Sequence, residues 1–246
     1  MTDVRIISAA AIGALTLAAT PALANPAGVI ELFTSEGCSS CPPADKVLAN
    51  YAGRDDVLAL SYNVDYWDYL GWKDTLATPD NTARQRDYSS GRGDGEVYTP
   101  QAIVDGVDYM PGGEADKIDA ALAKTKLDVP LDLAMSGDAL TVKVGASAAA
   151  MPHATLWLVF YDHSVTVPID RGENNGRTIT YSNVVRKLRP IAMWTGAPMN
   201  VDIARSEIEN AKADHLAILL QTEVKEGLPG PILGAASIAT GLQPAL

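Results

Sequence analysis

Two cysteines, the only ones in the chain, stand two residues apart in the stretch IELFTSEGCSSCPPADKVLANY. Cys38 and Cys41 follow a short apolar run and precede a helical pattern. A C-x-x-C pair at such a junction restricts the fold more than any other feature here, because both sulfurs must meet at the N-terminal end of one helix. Chemically the pair is a staple, a metal clip or a redox-active dithiol. As a staple it closes so short a loop that the entropic gain is small. Structural zinc wants four strong ligands, which are not in evidence. Cu(I) on two soft thiolates is chemically sensible, yet His153, His163 and His215 all lie far along the chain.

The N-terminus bears on the state of this pair. A polar start with Arg5 leads into an apolar run over residues 6–19 and then TPALA, with Ala22 and Ala24 at the small-residue positions a signal peptidase reads. That run contains Ser8, Gly13 and Thr16 and falls short of the ~20 apolar residues a bilayer span needs. Residues 1–24 are therefore expected to be a cleaved signal peptide. The mature chain then starts near Asn25 in the periplasm or outside the cell, without membrane insertion, where a disulfide persists. The 246 residues, 47% hydrophobic and 20% charged, suffice for one large core or two modest ones. A formal net charge of -11 argues against nucleic acid or an anionic membrane as partner.

Residues 28–33 suit a buried strand that stops at the turn-forming TSEG. Pro42 and Pro43 fit the first turn of a helix, Val47, Leu48 and Tyr51 recur at helical spacing, and Gly53 ends it. VLALSYNVDYW reads as a second strand. Strand, C-x-x-C at a helix N-terminus, strand is the opening of a thioredoxin-like domain. Such domains carry a proline, cis in the fold, at the start of a strand beside the dithiol, and Pro100 after Thr99 has that position. AIVDG then turns at Asp105-Gly106 into a short returning strand, a hairpin. Ile118, Ala121, Leu122 and Thr125 share one face of a closing helix.

Residues 25–127 are thus expected to be a thioredoxin-like α/β domain with an insertion at about 66–96. In the insertion, Thr78 and Pro79 start a short helix over PDNTARQRDY, followed by a loop, SSGRGDG. Tyr66, Trp67, Tyr69 and Trp72 form either a small satellite core or an aromatic rim beside the dithiol. On the second reading Trp67 and Trp72, with Tyr98 next to Thr99, are candidates for holding a peptide substrate. After KLDVP the pattern changes to alternating strands, with one helix over IARSEIENAKA. Residues 128–246 are expected to form a mostly β, sandwich-like domain. Asn175-Gly176 marks a hairpin tip in RGENNG, and turn chemistry accounts for that segment better than a catalytic role of Arg171, Glu173 or Arg177. No Ser-His-Asp spacing or phosphate-binding Gly-rich loop stands out, and no cofactor or metal is expected.

ELFTSEGCSSCPPAD, VDYWDYLGWKD, RQRDY, YTPQAIVDG and RGENNGRTITYSNVVR occur in this order and together resemble the DUF1223 family of exported bacterial proteins. The resemblance covers almost the whole mature chain and implies a thioredoxin-like region, export and a C-x-x-C dithiol.

The expected activity is thiol-disulfide exchange with protein or peptide partners. Cys38, nearer the surface in such folds, is the expected attacking thiolate, favoured by the helix N-terminus. Cys41 resolves the mixed disulfide, while Thr99 and Pro100 hold the substrate backbone. Ser39 and Ser40 between the cysteines bring no imidazolium, and Glu36 opposes the helix dipole, so an intermediate redox poise is expected. The buried acid that thioredoxins place six residues before the first cysteine is replaced here by Leu32, with Glu31 on the opposite strand face. Asp65 and Asp68 are alternative proton acceptors. The competing class is a copper-handling or peptide-binding module on the same scaffold.

Overall fold

The computed structural model describes residues 22–124, 126–147 and 153–242. Strands β2 (Gly28–Thr34) and β3 (Val57–Asn63) pair in parallel, from Gly28 opposite Val57 to Thr34 opposite Asn63. Parallel strands need a crossover, and α1 (Pro42–Ala52) supplies it, with Pro42 in its first turn. β4 (Gln101–Val104) and β5 (Asp108–Pro111) form the hairpin read from the sequence. Its turn places Asp105 at φ 50 and Gly106 at φ 72, the positive values that a two-residue turn of this hand requires. α3 (Ala115–Leu122) follows and buries Ile118 and Ala121.

The insertion is more ordered than its composition predicts. α2 runs from Pro79 to Arg92, with Thr78 Oγ1 accepting from the Asn81 N–H at 3.1 Å. The SSGR segment, expected as loop, is its last turn. Gly91 lets the helix approach Val224 closely, and Gly93, at φ 79, provides the left-handed stop. The helix is part of the main core through Tyr88 and Arg84, both buried.

The chain after residue 127 adds β6 (Leu131–Ser136), β7 (Ala139–Val144), β8 (Ala154–Ile169), β9 (Arg177–Trp194), β10 (Met199–Ala204), α4 (Arg205–Ala211), β11 (His215–Lys225) and β12 (Leu228–Ala239). A short β1 (Ala22–Ala24) pairs with β12. The strand order is β1-β12-β11-β8-β9-β3-β2-β4-β5 in one sheet and β10-β7-β6 in another. This corrects the expectation of two separate domains divided at 127/128. The long β9 bridges the halves by pairing antiparallel with β8 and, at Val184 opposite Ser61, parallel with β3. The molecule is a mixed α/β fold around one large, mostly β sheet.

Alternation along the strands explains the layers. Val29 and Phe33 of β2, Leu60 and Tyr62 of β3, Val159 of β8 and Leu219 of β11 face α2 and its Tyr88. Ile30 and Leu32, with Ala59, face α1 and α3. Leu156, Leu158 and Phe160 of β8 and Leu216, Ile218 and Leu220 of β11 instead pack on Leu140 and Val142 of the small sheet. That last layer is the sandwich-like part of the sequence expectation.

Candidate functional site

The loop that leads into α1 carries the two cysteines, joined as a disulfide with Cα atoms 5.4 Å apart. Cys41 is the N-cap yet has helical dihedrals, φ -75 and ψ -39, and its carbonyl accepts from the N–H groups of Ala44 at 2.9 Å and Asp45 at 3.1 Å. Cys38 N donates to the Ser35 carbonyl, which folds the loop back on the end of β2. The Cys38 sulfur lies 3.3 Å from Ser40 Oγ and 3.8 Å from the Thr99 carbonyl. The Thr99–Pro100 peptide is cis. Cys38, expected to be the more exposed cysteine, is only 2% exposed against 0% for Cys41, because Ser39 and Ser40 rather than the sulfurs face solvent.

The aromatic residues divide between the two readings. Trp67 Nε1 donates to Thr99 Oγ1 at 2.7 Å, its Cβ sits beside Gly37, and its ring stacks on the exposed Tyr69. Trp67 is thus bonded to the residue whose carbonyl lies next to the Cys38 sulfur. Trp72 points the other way: its Nε1 donates to Glu36 Oε2 at 2.5 Å, and its ring packs against the cluster of Leu76, Val167 and Tyr181. Tyr98 is half-buried and contributes its carbonyl to Gln85 Nε2 at 2.8 Å.

Part of this site comes from the far half of the chain. The β8–β9 hairpin reaches across α1 so that its RGENNG tip lies on the C-x-x-C loop. Asn174, fully buried, donates from Nδ2 to the carbonyls of Glu36 and Cys38, both at 2.9 Å. Glu173 Oε2 accepts from the Ser39 N–H at 3.2 Å. Turn residues alone do not explain this segment; its charged and amide side chains between two apolar strands were the available signal.

Beneath the loop sit three buried carboxylates, Glu36, Asp45 and Asp74. Glu36 accepts from Trp72 and from the backbone N–H and hydroxyl of Thr75, at 3.1 and 2.8 Å. Asp74 accepts from the N–H groups of Glu36, Leu76 and Ala77 and from Asn63. Burial, reinforced by Glu36, pushes the Asp74 carboxyl up to about 6. Asp45 accepts from Thr34 Oγ1 at 2.7 Å; burial pushes it up to about 7, with the Thr34 bond opposing and Asp74 adding to the rise. Asp65 and Asp68, the acids expected to serve the dithiol, are engaged elsewhere: Asp65 accepts from Thr82 of α2, and Asp68 from the Asp74 N–H. Sequence reasoning missed Asp45 and Asp74 because nothing local marks them as buried.

The histidines lie away from the sulfurs. His163 and His215 face each other, ring centroids 5.5 Å apart, and line a cleft with Val57 at the start of β3, whereas the dithiol loop follows the end of β2. Among the described residues no group of three or more His, Cys, Asp or Glu is arranged to hold a metal ion.

A mixed α/β chain with one large sheet and a C-x-x-C disulfide opening the helix after its first long strand is the class that fold and site define. Residues 29–221 match the family described as "Protein of unknown function (DUF1223)", and the chain belongs to that family. A search of curated proteins finds no match. The crystal structure of protein AGR_C_4864 from Agrobacterium tumefaciens is similar, with a TM-score of 0.80 and 36% sequence identity over 90% of this chain and 97% of that one.

Proposed function

We propose that the protein is an exported, thioredoxin-like thiol-disulfide oxidoreductase acting through Cys38 and Cys41. One observation carries this reading: the disulfide opens α1 with the Cys38 sulfur 3.8 Å from the Thr99 carbonyl, where the Thr99–Pro100 segment can lie along a partner peptide. A Cys38 thiolate there is favoured by the positive end of the helix. It attacks a partner disulfide, forming a Cys38–partner bond and releasing one partner thiolate; Cys41 then attacks the Cys38 sulfur and releases the second. In reverse, the same steps oxidise a partner dithiol. On this reading the RGENNG tip, bonded to the backbone of the Cys38 loop through Asn174 and Glu173, moves aside to admit the partner. Trp67 and Tyr69 then border the partner peptide.

Export supplies the setting. The signal-peptide expectation concerns residues 1–24, of which 1–21 lie outside the described residues. Among the described residues no helix is long and apolar enough to cross a membrane.

Trapping tests the exchange. Cys41→Ser should accumulate mixed disulfides with partner proteins or with glutathione, and Cys38→Ser should not. Equal and slow alkylation of both reduced cysteines, with no trapping by either variant, contradicts the assignment.

A further inference from the structure

Exchange through this dithiol requires a group to take the proton of Cys41, which is fully buried. The inference here rests on the exchange reading. Asp45 lies one helical turn beyond Cys41, its N–H bonded to the Cys41 carbonyl at 3.1 Å, so the two side chains share a helix face. One carboxylate oxygen is held by Thr34; the other, Oδ2, is buried without a hydrogen-bond partner. From β9, the buried Tyr181 hydroxyl also lacks a partner, and Asp45, Asp74 and Glu36 all act on it electrostatically. Thr34 from β2, Asn63 from β3, and Glu36 and Asp74 from the adjoining loops complete the surroundings.

A cleft of about 570 Å³ between α1 and β9 is lined by Pro42, Asp45, Lys46 and Arg177, so Asp45 borders a route to solvent flanked by two cations. We propose that Asp45 is the proton acceptor for Cys41 when Cys41 resolves a mixed disulfide on Cys38. The Cys41 thiol gives its proton to the Asp45 carboxylate, and its thiolate attacks the Cys38 sulfur. The Cys38–partner bond breaks, the partner leaves as a thiolate, and the Asp45 proton passes through the cleft to solvent. Two cysteine thiols are oxidised and one partner disulfide is reduced. A carboxyl that changes state near pH 7 suits this task, and burial places Asp45 there.

The test is rapid mixing of the reduced protein with 5,5'-dithiobis(2-nitrobenzoate). Attack by Cys38 releases a first nitrothiobenzoate and resolution by Cys41 a second, so the two steps give separate absorbance phases. Asp45→Asn should slow the second phase by about tenfold or more and change the first by less than about threefold. In the wild type the second phase should quicken as pH rises through the Asp45 titration. Thr34→Val removes a bond to the charged carboxylate and should move that inflection upward. Equal second phases in wild type and Asp45→Asn at every pH overturn the inference. If Asp45→Asn does not fold, an inflection unmoved in Thr34→Val overturns it instead. A wild type that releases no second nitrothiobenzoate defeats the exchange reading itself, whatever Asp45 does.

Discussion

Asp45 makes a stability prediction independent of any partner. Its carboxyl titrates at about 7 in the folded protein against an ordinary value of 3.8, so between these values the folded state holds a proton that the unfolded chain releases. Unfolding free energy therefore falls as pH rises from about 4 to about 7, and Asp74 adds the same trend up to about 6. Asp45→Asn stays neutral throughout. Relative to wild type it should gain about 2–4 kcal/mol between pH 4 and pH 8 in urea unfolding. A pH-independent difference contradicts the burial argument. Asn174 gives a second residue-scale outcome. Asn174→Ala leaves the buried carbonyls of Glu36 and Cys38 without that donor and should cost about 1–3 kcal/mol. It should also quicken reduction of the disulfide by dithiothreitol, whereas an unchanged rate would mean that the tip does not guard Cys38. The cysteine pair was legible in the sequence because its spacing is local, and Thr99 and Pro100 because a hairpin pattern follows them. Asp45 was not, because it looks like an ordinary first-turn acid until a hairpin more than a hundred residues away covers it.

At the scale of elements, α2 is fixed to the sheet by one buried polar network. Arg84 Nε donates to Glu31 Oε1 at 2.6 Å, its Nη2 donates to Tyr88 and Gln221, and the Tyr88 hydroxyl also bonds Glu31. Burial opposes the Arg84 charge, but Glu31 more than compensates and holds its pKa above the ordinary value. Removing one partner leaves a buried charge unpaired. Arg84→Met should therefore cost about 3–5 kcal/mol in denaturant unfolding, and adding Glu31→Gln should restore part of it. A double variant no more stable than the single one contradicts the pairing. The sequence indicated the start of α2 through Thr78 and Pro79, whose effect is local. It concealed the last turn, where Gly91 and Gly93 resemble loop residues; packing against Val224 decides that stretch. Glu31 was correctly placed on the face opposite Leu32, since strand alternation is strict, but its partner 53 positions away had no sequence signal.

For the whole molecule, strand existence was legible and sheet membership was not. Apolar alternation marks β8, β9, β11 and β12 but does not say that β9 will pair with β3 and merge the halves. The proposed export has a consequence at this scale: cleavage after Ala24 would remove β1 and leave β12 at the sheet edge, while Asn25 would keep its 2.8 Å bond to the Leu131 N–H. N-terminal sequencing of exported protein should begin at Asn25; an uncleaved Met1 in that fraction contradicts the signal-peptide assignment. The central claim is that the disulfide is exchanged rather than kept as a staple, and equilibration against glutathione tests it most directly. With Ser39 and Ser40 between the cysteines and no imidazole beside them, a reversible potential between about -180 and about -270 mV is expected. A disulfide that resists reduction until below about -300 mV, or yields only when the protein unfolds, would contradict the account.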